Sequence, residues 1–252
     1  MSKPSRARFV ALSDLLARCH PDVDVGAIAA GTVIVDGRVV MNPRARVRAD
    51  ASIRVQAPRR LRGDVKLSHA LTAFGVAVAR KVAMDVGASA GGFTTALLAS
   101  GASRVYAVET GIGQLRGALR VDPRVVNLEG HNLGALNRTL VPEPIELIVI
   151  DLSYLSIVSA IAQLEVVTIA AHADLIALVK PTFELHRGSL AASAEDLSAA
   201  VVLAVHGVED AGWLVQGWCD APATGQHGAR EAFIHATRSK SIVPYDQAPV
   251  GS

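Results

Sequence analysis

Between Met84 and Gly111 the sequence reads MDVGASAGGFTTALLASGASRVYAVETG. An apolar β-type run, Val82 to Val86, meets a glycine-rich turn at Gly87, Gly91 and Gly92. A helical pattern follows, then a second β-type run from Arg104 to Val108 that ends in an acid, Glu109. Glycine is the residue that lets backbone turn tightly from strand to helix and approach a ligand closely, and an acid closing the second strand is placed to accept hydrogen bonds from a ribose diol. The segment therefore predicts an α/β core that binds an adenosine-containing cofactor. The spacing Gly-x-x-x-Gly-Gly is not the dinucleotide fingerprint, and no Gly-Lys-Ser/Thr follows, which argues against a P-loop. S-adenosylmethionine fits best, because Asp85 opens a small-residue loop. On these residues alone a nicotinamide cofactor stays open.

The rest of the chain repeats the strand–helix alternation. Strands are expected at 82–86, 104–108, 125–128, 145–150 and 174–179, and helices at 92–99, 114–120, 156–169 and 195–211. Two further β-type runs, 213–219 and 229–237, have no helix between them and predict a C-terminal antiparallel hairpin at the edge of a mainly parallel sheet. With 252 residues there is room for a second domain. The mean hydropathy is positive, +0.34, but the longest apolar candidate, Ile145 to Val179, is interrupted by Glu146, Asp151, Glu165 and Asp174. It falls short of the roughly 18–20 uninterrupted residues a spanning helix needs. Residues 1–20 have no apolar stretch of the secretory kind. Cys19 and Cys219 form no metal or redox motif. A cytoplasmic protein with no membrane segment and no metal is expected.

Charge is unevenly spread. Residues 1–66 hold 13 Lys/Arg against 6 Asp/Glu, whereas the remainder is acidic. A basic N-terminal quarter suits a polyanion such as nucleic acid. Within it, Phe9, Leu12, Leu15 and Leu16 recur at helical spacing, a short helical turn is expected near Val25–Ala29, and Asp36-Gly37 between β-rich runs signals a hairpin. A last strand is expected at 52–55. This layout resembles the S4 RNA-binding domain through Gly31-Thr-Val-Ile-Val-Asp-Gly37, Val40, Pro43, Val47 and Ile53. The resemblance implies phosphate contacts from Arg6, Arg8, Arg18, Arg38, Arg44 and Arg46. One departure stands out: the second S4 helix normally opens with Ser-Arg, and here the chain has Asp22-Val-Asp24. The domain expectation is residues 1–56 S4-like, 57–66 linker, 67–240 a Rossmann-like methyltransferase domain and 241–252 a tail.

Two strand ends carry charge: IELIVID closes on Asp151, and ADLIALVK on Lys180. A charge at the end of an apolar strand is costly unless it faces a cleft or is paired, and a lysine beside a carboxylate makes a tunable acid–base pair. Taken together, the S4-like start, DVGASAGGFT, YAVETGIGQL, DPRVVNLEGHN, IDLSYLS and LVKPTFE resemble the TlyA family over residues 6–238. Members are often named hemolysins and are 2′-O-ribose methyltransferases of ribosomal RNA with an FtsJ-like catalytic domain. The resemblance implies a Lys-Asp-Lys-Glu tetrad, carried here by Lys66 (in Arg62-Gly-Asp-Val-Lys66-Leu), Asp151, Lys180 and Glu231 (in Gly228-Ala-Arg-Glu231-Ala-Phe). It implies S-adenosyl-L-methionine held by Asp85, Gly87, Ala88, Ser89, Gly91 and Gly92, with Glu109 on the ribose hydroxyls and Asn132 near the adenine. RNA, as ribosomal RNA or ribosomal subunits, is the implied partner. After Phe183-Glu184 the chain departs from the family's Gly/Lys-rich continuation. Two alternatives remain: a methyltransferase with a small-molecule or protein acceptor, and a membrane-active hemolysin.

Overall fold

The computed structural model describes residues 8–56, 60–185, 193–225 and 228–238. The chain forms two compact units that divide between Arg60 and Leu61. The expected tail, 241–252, lies outside the described residues, as do Arg6 and residues 186–192 of the altered loop.

In the N-terminal unit, strand β1 (Phe9–Ala11) runs straight into helix α1 (Leu12–Cys19), and a second helical turn, α2, spans Gly26–Ala29. Strands β2 (Val33–Val35) and β3 (Arg38–Val39) form the hairpin signalled by Asp36-Gly37. Both turn residues have positive φ, 47° and 82°, the requirement of a turn that follows the strand twist. Strand β5 (Ile53–Val55) pairs with the other side of β2. The core is small: Leu12, Leu16, Ile28, Val33 and Val35.

Sequence periodicity places Phe9 on the helical stripe, and the structure corrects this. Phe9 lies in β1, opposite Arg48 of β4 (Arg46–Arg48), and is 48% exposed. Pairing with β4 gives the backbone of residues 9–11 a ladder of partners, and the helix starts only where Leu12 N–H reaches the Ala45 carbonyl.

The second unit opens with helix α3 (Arg62–Phe74). The stretch expected to be linker up to residue 66 is therefore helical from Arg62, and Lys66 sits in the second turn. Next come β6 (Val82–Val86), α4 (Gly92–Ala99), β7 (Arg104–Glu109), α5 (Gly117–Arg120) and β8 (Val125–Glu129). They are followed by β9 (Ile145–Ile150), α6 (Ile157–Gln163), β10 (Ile169–Val179), α7 (Pro181–Glu184), α8 (Ala194–Asp210), β11 (Trp213–Asp220) and β12 (Ala232–Arg238). One seven-stranded sheet results, in the order β11-β12-β10-β9-β6-β7-β8. Pairing is parallel from β10 to β8, and β12 is antiparallel to both its neighbours.

Alternation along each central strand feeds two cores. Leu147, Val149, Ile176 and Leu178 face α3 and α4 with Leu67, Leu71, Phe93 and Leu97. Met84, Val86, Ile148 and Ile150 face α6 and α8 with Ile157, Ile161, Ala200 and Ala204. Two expected helices are shorter than read. The 114–120 helix is reduced to Gly117–Arg120, preceded by a turn whose Gln114 and Leu115 amides are taken by the Glu129 carboxylate. The 156–169 helix ends at Gln163 and passes through a 3-10 turn into a strand that begins at Ile169.

Candidate active site

The strand ends gather the chemistry. Asp151 follows β9, Lys180 follows β10, and Glu231 immediately precedes β12, whose first residue pairs with Val179. Lys66 reaches in from α3. Lys66 and Glu231 form an ion pair that is almost wholly buried. Lys180 Nζ is 2.5 Å from Asp151 Oδ1 and donates to Ser153 Oγ at 3.0 Å. That second pair is the more open of the two, with side-chain exposures of 15% and 26%. Two lysine–carboxylate pairs, one buried and one at the mouth, thus come from four segments on three adjacent strands and one helix.

The glycine loop adjoins them. Gly87, Ser89 and Gly91 all have positive φ (87°, 48° and 88°), and the amides of Gly87 and Ala88 donate to the Val108 carbonyl. At Gly87 and Gly92 packing against backbone demands glycine as well, whereas at Gly91 the neighbours are movable side-chain ends. A Cβ at Gly87 would collide with the Asp151 carbonyl oxygen, one at Gly91 with the Leu119 side chain, and one at Gly92 would lie 2.9 Å from Gly63 Cα. Ala88 is buried against Ala107 and Leu115. Beside this loop a cleft of about 310 Å³ is lined by Arg62, Gly63, Gly87, Ser89, Phe93 and Asp151, among others. A narrower one on the far side of Gly87 touches Glu109, Thr110, His131, Leu133 and Tyr154. A larger cleft, about 550 Å³, involves Trp213 and Arg238 at the opposite ends of the strands and includes none of the tetrad.

Asp85 is fully buried in β6. Its Oδ2 accepts from Thr94 Oγ1 at 2.6 Å, while Oδ1 has no partner among the described residues. Burial pushes this carboxyl up to about 7, against the Thr94 hydrogen bond. Glu109 accepts from the amides of Ser89 (3.0 Å) and Gly111 (2.8 Å), tying the glycine loop to the turn after β7. The Thr110 hydroxyl also donates to Glu109 at 3.2 Å, and a carboxylate has about four acceptor sites, so room for one further hydroxyl remains, and for two where Thr110 turns away. Asn132 accepts from the Ala135 amide and caps a 3-10 turn, so its side-chain oxygen already has a local task.

Sequence reasoning missed Glu129. Its carboxylate takes the amides of Leu115 and Gln114, the Asn127 side chain and the Arg120 guanidinium. The Leu115 amide leads the causes that hold it down at about 2. It organises the turn whose Gln114 meets Ser89. Glu129 closes β8 as Glu109 closes β7, but its role in the turn was not legible, because the amides it takes lie up to 15 residues upstream.

In the other unit Arg8, Arg18, Arg38, Arg44 and Arg46 are all exposed. Arg18 donates to the Ala49 carbonyl and Arg46 to the Phe9 carbonyl, leaving further guanidinium donors for a ligand. Asp24, one of the acids at the start of the second helix, accepts the Gly26 amide at 2.7 Å and thereby shapes that turn. Among the described residues no group of three or more His, Cys, Asp or Glu could hold a metal ion, and no helix is long and apolar enough to cross a membrane.

Comparison with known proteins agrees with this geometry. The family model for FtsJ-like methyltransferases matches residues 59–238. The 16S/23S rRNA (cytidine-2′-O)-methyltransferase TlyA of Mycobacterium tuberculosis is 37% identical over 216 residues, which span 82% of this chain and 80% of that protein. Hemolysin A of Brachyspira hyodysenteriae is 32% identical over 216 residues, 82% of this chain and 90% of its own. Among solved structures, a Streptococcus thermophilus protein described as a hemolysin superposes with a TM-score of 0.63 at 26% identity, covering 94% of this chain and 92% of that one. One from Lactococcus lactis gives 0.67 at 28% identity over 71% and 88%. The chain belongs to the FtsJ-like methyltransferase family, in the group that includes the TlyA proteins.

Proposed function

We propose that this protein is a cytoplasmic S-adenosyl-L-methionine-dependent RNA 2′-O-ribose methyltransferase acting on ribosomal RNA. The observation that carries the reading is the convergence of the Lys66–Glu231 and Lys180–Asp151 pairs beside the glycine-loop cleft. The residues fit the cofactor: the loop turns through three positive-φ positions next to the cleft, and Glu109 stands at the end of β7 with acceptor capacity left. Gly87, Ala88, Ser89, Gly91 and Gly92 would pass the methionine portion, with Asp85 beneath them, and Glu109 would take the ribose hydroxyls. When bound, the cofactor supplies a methyl group on a sulfonium leaving group.

What the chain must add is placement and proton handling, because a ribose hydroxyl is a poor nucleophile. Lys180 Nζ, held between Asp151 and Ser153 at the open side of the site, positions and polarises the 2′-oxygen. The proton released as the O–C bond forms passes to the Lys180–Asp151 pair. The buried Lys66–Glu231 pair fixes the neighbouring wall and keeps its two charges balanced in a poorly solvated place. Alanine at Lys180 or Asp151 is expected to abolish tritiated-methyl transfer to ribosomal subunits and RNA, while cofactor binding by calorimetry largely survives. Undiminished transfer in both variants would sink the mechanism.

A second reading keeps the cofactor and replaces RNA by a small-molecule or protein acceptor. It is favoured by Asp22 and Asp24 at the second helix of the N-terminal unit, where acids would repel phosphates. A membrane-active role would require leakage of liposomes by the purified protein.

A further inference from the structure

Glu184 is a buried carboxylate that the tetrad does not use. It is the last residue of α7, the single turn that follows Lys180, and only 8% of it is exposed. Its Oε1 accepts the backbone amide of Ile157 at 3.0 Å. Ile157 is the first residue of α6, and its amide is one of the few at a helix start with no partner inside the helix.

The two ends of this bond lie on the two segments that bear the mouth of the site. One segment runs Asp151-Leu-Ser153-Tyr-Leu-Ser156 into Ile157; its Asp151 and Ser153 both touch Lys180 Nζ. The other runs from Lys180 through Pro181-Thr-Phe to Glu184, tightened by the amides of Phe183 and Glu184 donating to the Lys180 carbonyl. Asp151 is thus held at one end by β9 and, six residues on, by Glu184. Lys180 is held by β10 and, four residues on, by the same carboxylate. The contact between loops closes a ring with the Lys180–Asp151 ion pair on its other side.

We propose that Glu184 is a positioning residue for methyl transfer: its carboxylate clamps the loop after β9 to the turn after β10 and so sets the spacing of Lys180 against Asp151 and Ser153. The inference rests on the reading of those residues as the methyl-transfer site. The bond needs an acceptor oxygen, not a charge, so a glutamine at this position keeps it.

The test compares three variants of the full chain. Glu184→Ala removes the acceptor. Ile157→Pro, read against an Ile157→Ala control that trims the same buried side chain but keeps the amide, removes the donor at the first helical position, where proline is tolerated, after a Ser156 whose extended backbone (φ −69°, ψ 157°) suits a following proline. Glu184→Gln retains the bond. Glu184→Ala and Ile157→Pro are expected to lower kcat by about 100-fold, the scale of a misplacement near 1 Å, with KM and affinity for S-adenosylmethionine unchanged. Glu184→Gln is expected to restore kcat. In the cofactor-free protein the Lys180 ε-methylene NMR resonance, assigned with Lys180→Ala, is expected to move in the first two variants and to stay in place in the third.

A folded Glu184→Ala or Ile157→Pro with wild-type kcat overturns the proposal. So does Glu184→Gln behaving like Glu184→Ala, or a loss of cofactor affinity as large as the loss of kcat. Should Glu184→Ala fail to fold, Ile157→Pro carries the same test. If the wild type itself transfers no methyl to RNA, the functional reading fails, and the Lys180 resonance still decides whether Glu184 sets that side chain.

Discussion

Asp85 carries a carboxyl held far from its ordinary surroundings. The carboxyl is sealed inside β6 with one oxygen bonded to Thr94 and the other without a partner among the described residues. Its value in the folded chain, about 7, stands above its ordinary 3.8. A folded-state value that is raised makes its contribution to stability greatest below about pH 4 and removes it as pH climbs through about 7. Asp85→Asn cannot ionise. It is therefore expected to be more stable than wild type at pH 8 and to lose that advantage at pH 4, the gap widening by about 1.4 kcal/mol for each pH step of one up to about pH 7 and levelling off above it. Thermal unfolding of both proteins at the two pH values checks this, and an advantage that does not change with pH would refute it. The same scale separates what the sequence displays from what it hides. Asp151 and Lys180 stand out because each ends an apolar strand. Lys66 and Glu231 have no such signature: they are 165 positions apart, and only resemblance to a family picks them out before the fold brings them together. The roles of Glu129 and Glu184 were hidden for a related reason, since both take backbone amides that any residue could supply.

At the scale of elements, the glycines of the loop turn out to serve contacts within the protein as much as approach to a ligand. Gly92 at the start of α4 lies against Gly63 at the start of α3, where an added Cβ would sit 2.9 Å from Gly63 Cα and 3.1 Å from the Asp64 amide. Both obstacles are backbone, so the helices must separate to admit it. Gly92→Ala is expected to cost about 1–3 kcal/mol, the usual range for overpacking, and to lower kcat because Lys66 lies one turn beyond Gly63. Gly75, the left-handed residue that ends α3 (φ 66°), has nothing within 4 Å of an added Cβ. Gly75→Ala therefore carries only a backbone cost of about 1–2 kcal/mol and should leave kcat unchanged. Unfolding curves and single-turnover rates for the pair separate the two effects. Strands 82–86 and 145–150 were legible because burial on both faces demands a nearly continuous apolar run, interrupted here only by Asp85 and Glu146. The paired β1 and β4 were not, because three-residue strands next to a helix carry too little alternation to register, and Phe9 fitted the helical stripe equally well.

On the whole molecule, the basic quarter and the acidic remainder divide at about the same place as the two compact units. If RNA is the acceptor, transfer by the full chain should fall steeply as salt is raised, because each phosphate contact releases a counterion. A chain reduced to residues 61–252 should lose most of that activity and most of its salt dependence while still binding the cofactor. Activity indifferent to both changes would favour the non-RNA acceptor. The layout of the catalytic unit was legible in outline, as the alternation of strands and helices fixes a parallel sheet. The insertion of β12 between β10 and β11 was not, because strand order is decided by which edges the helices leave open.

That insertion has a consequence for the timing of activity during synthesis. The ribosome delivers β6 to β11 first, and β12 must then enter between two strands that are already made. Lys66 emerges early, yet the carboxylate that pairs with it arrives 165 residues later, at the threshold of the final described strand. An incomplete nascent chain can hold Asp151 and Lys180 on adjacent strands, but it cannot close the buried half of the site. On the proposed mechanism, methyl transfer is thus withheld until translation has passed β12 and Glu231 has met Lys66.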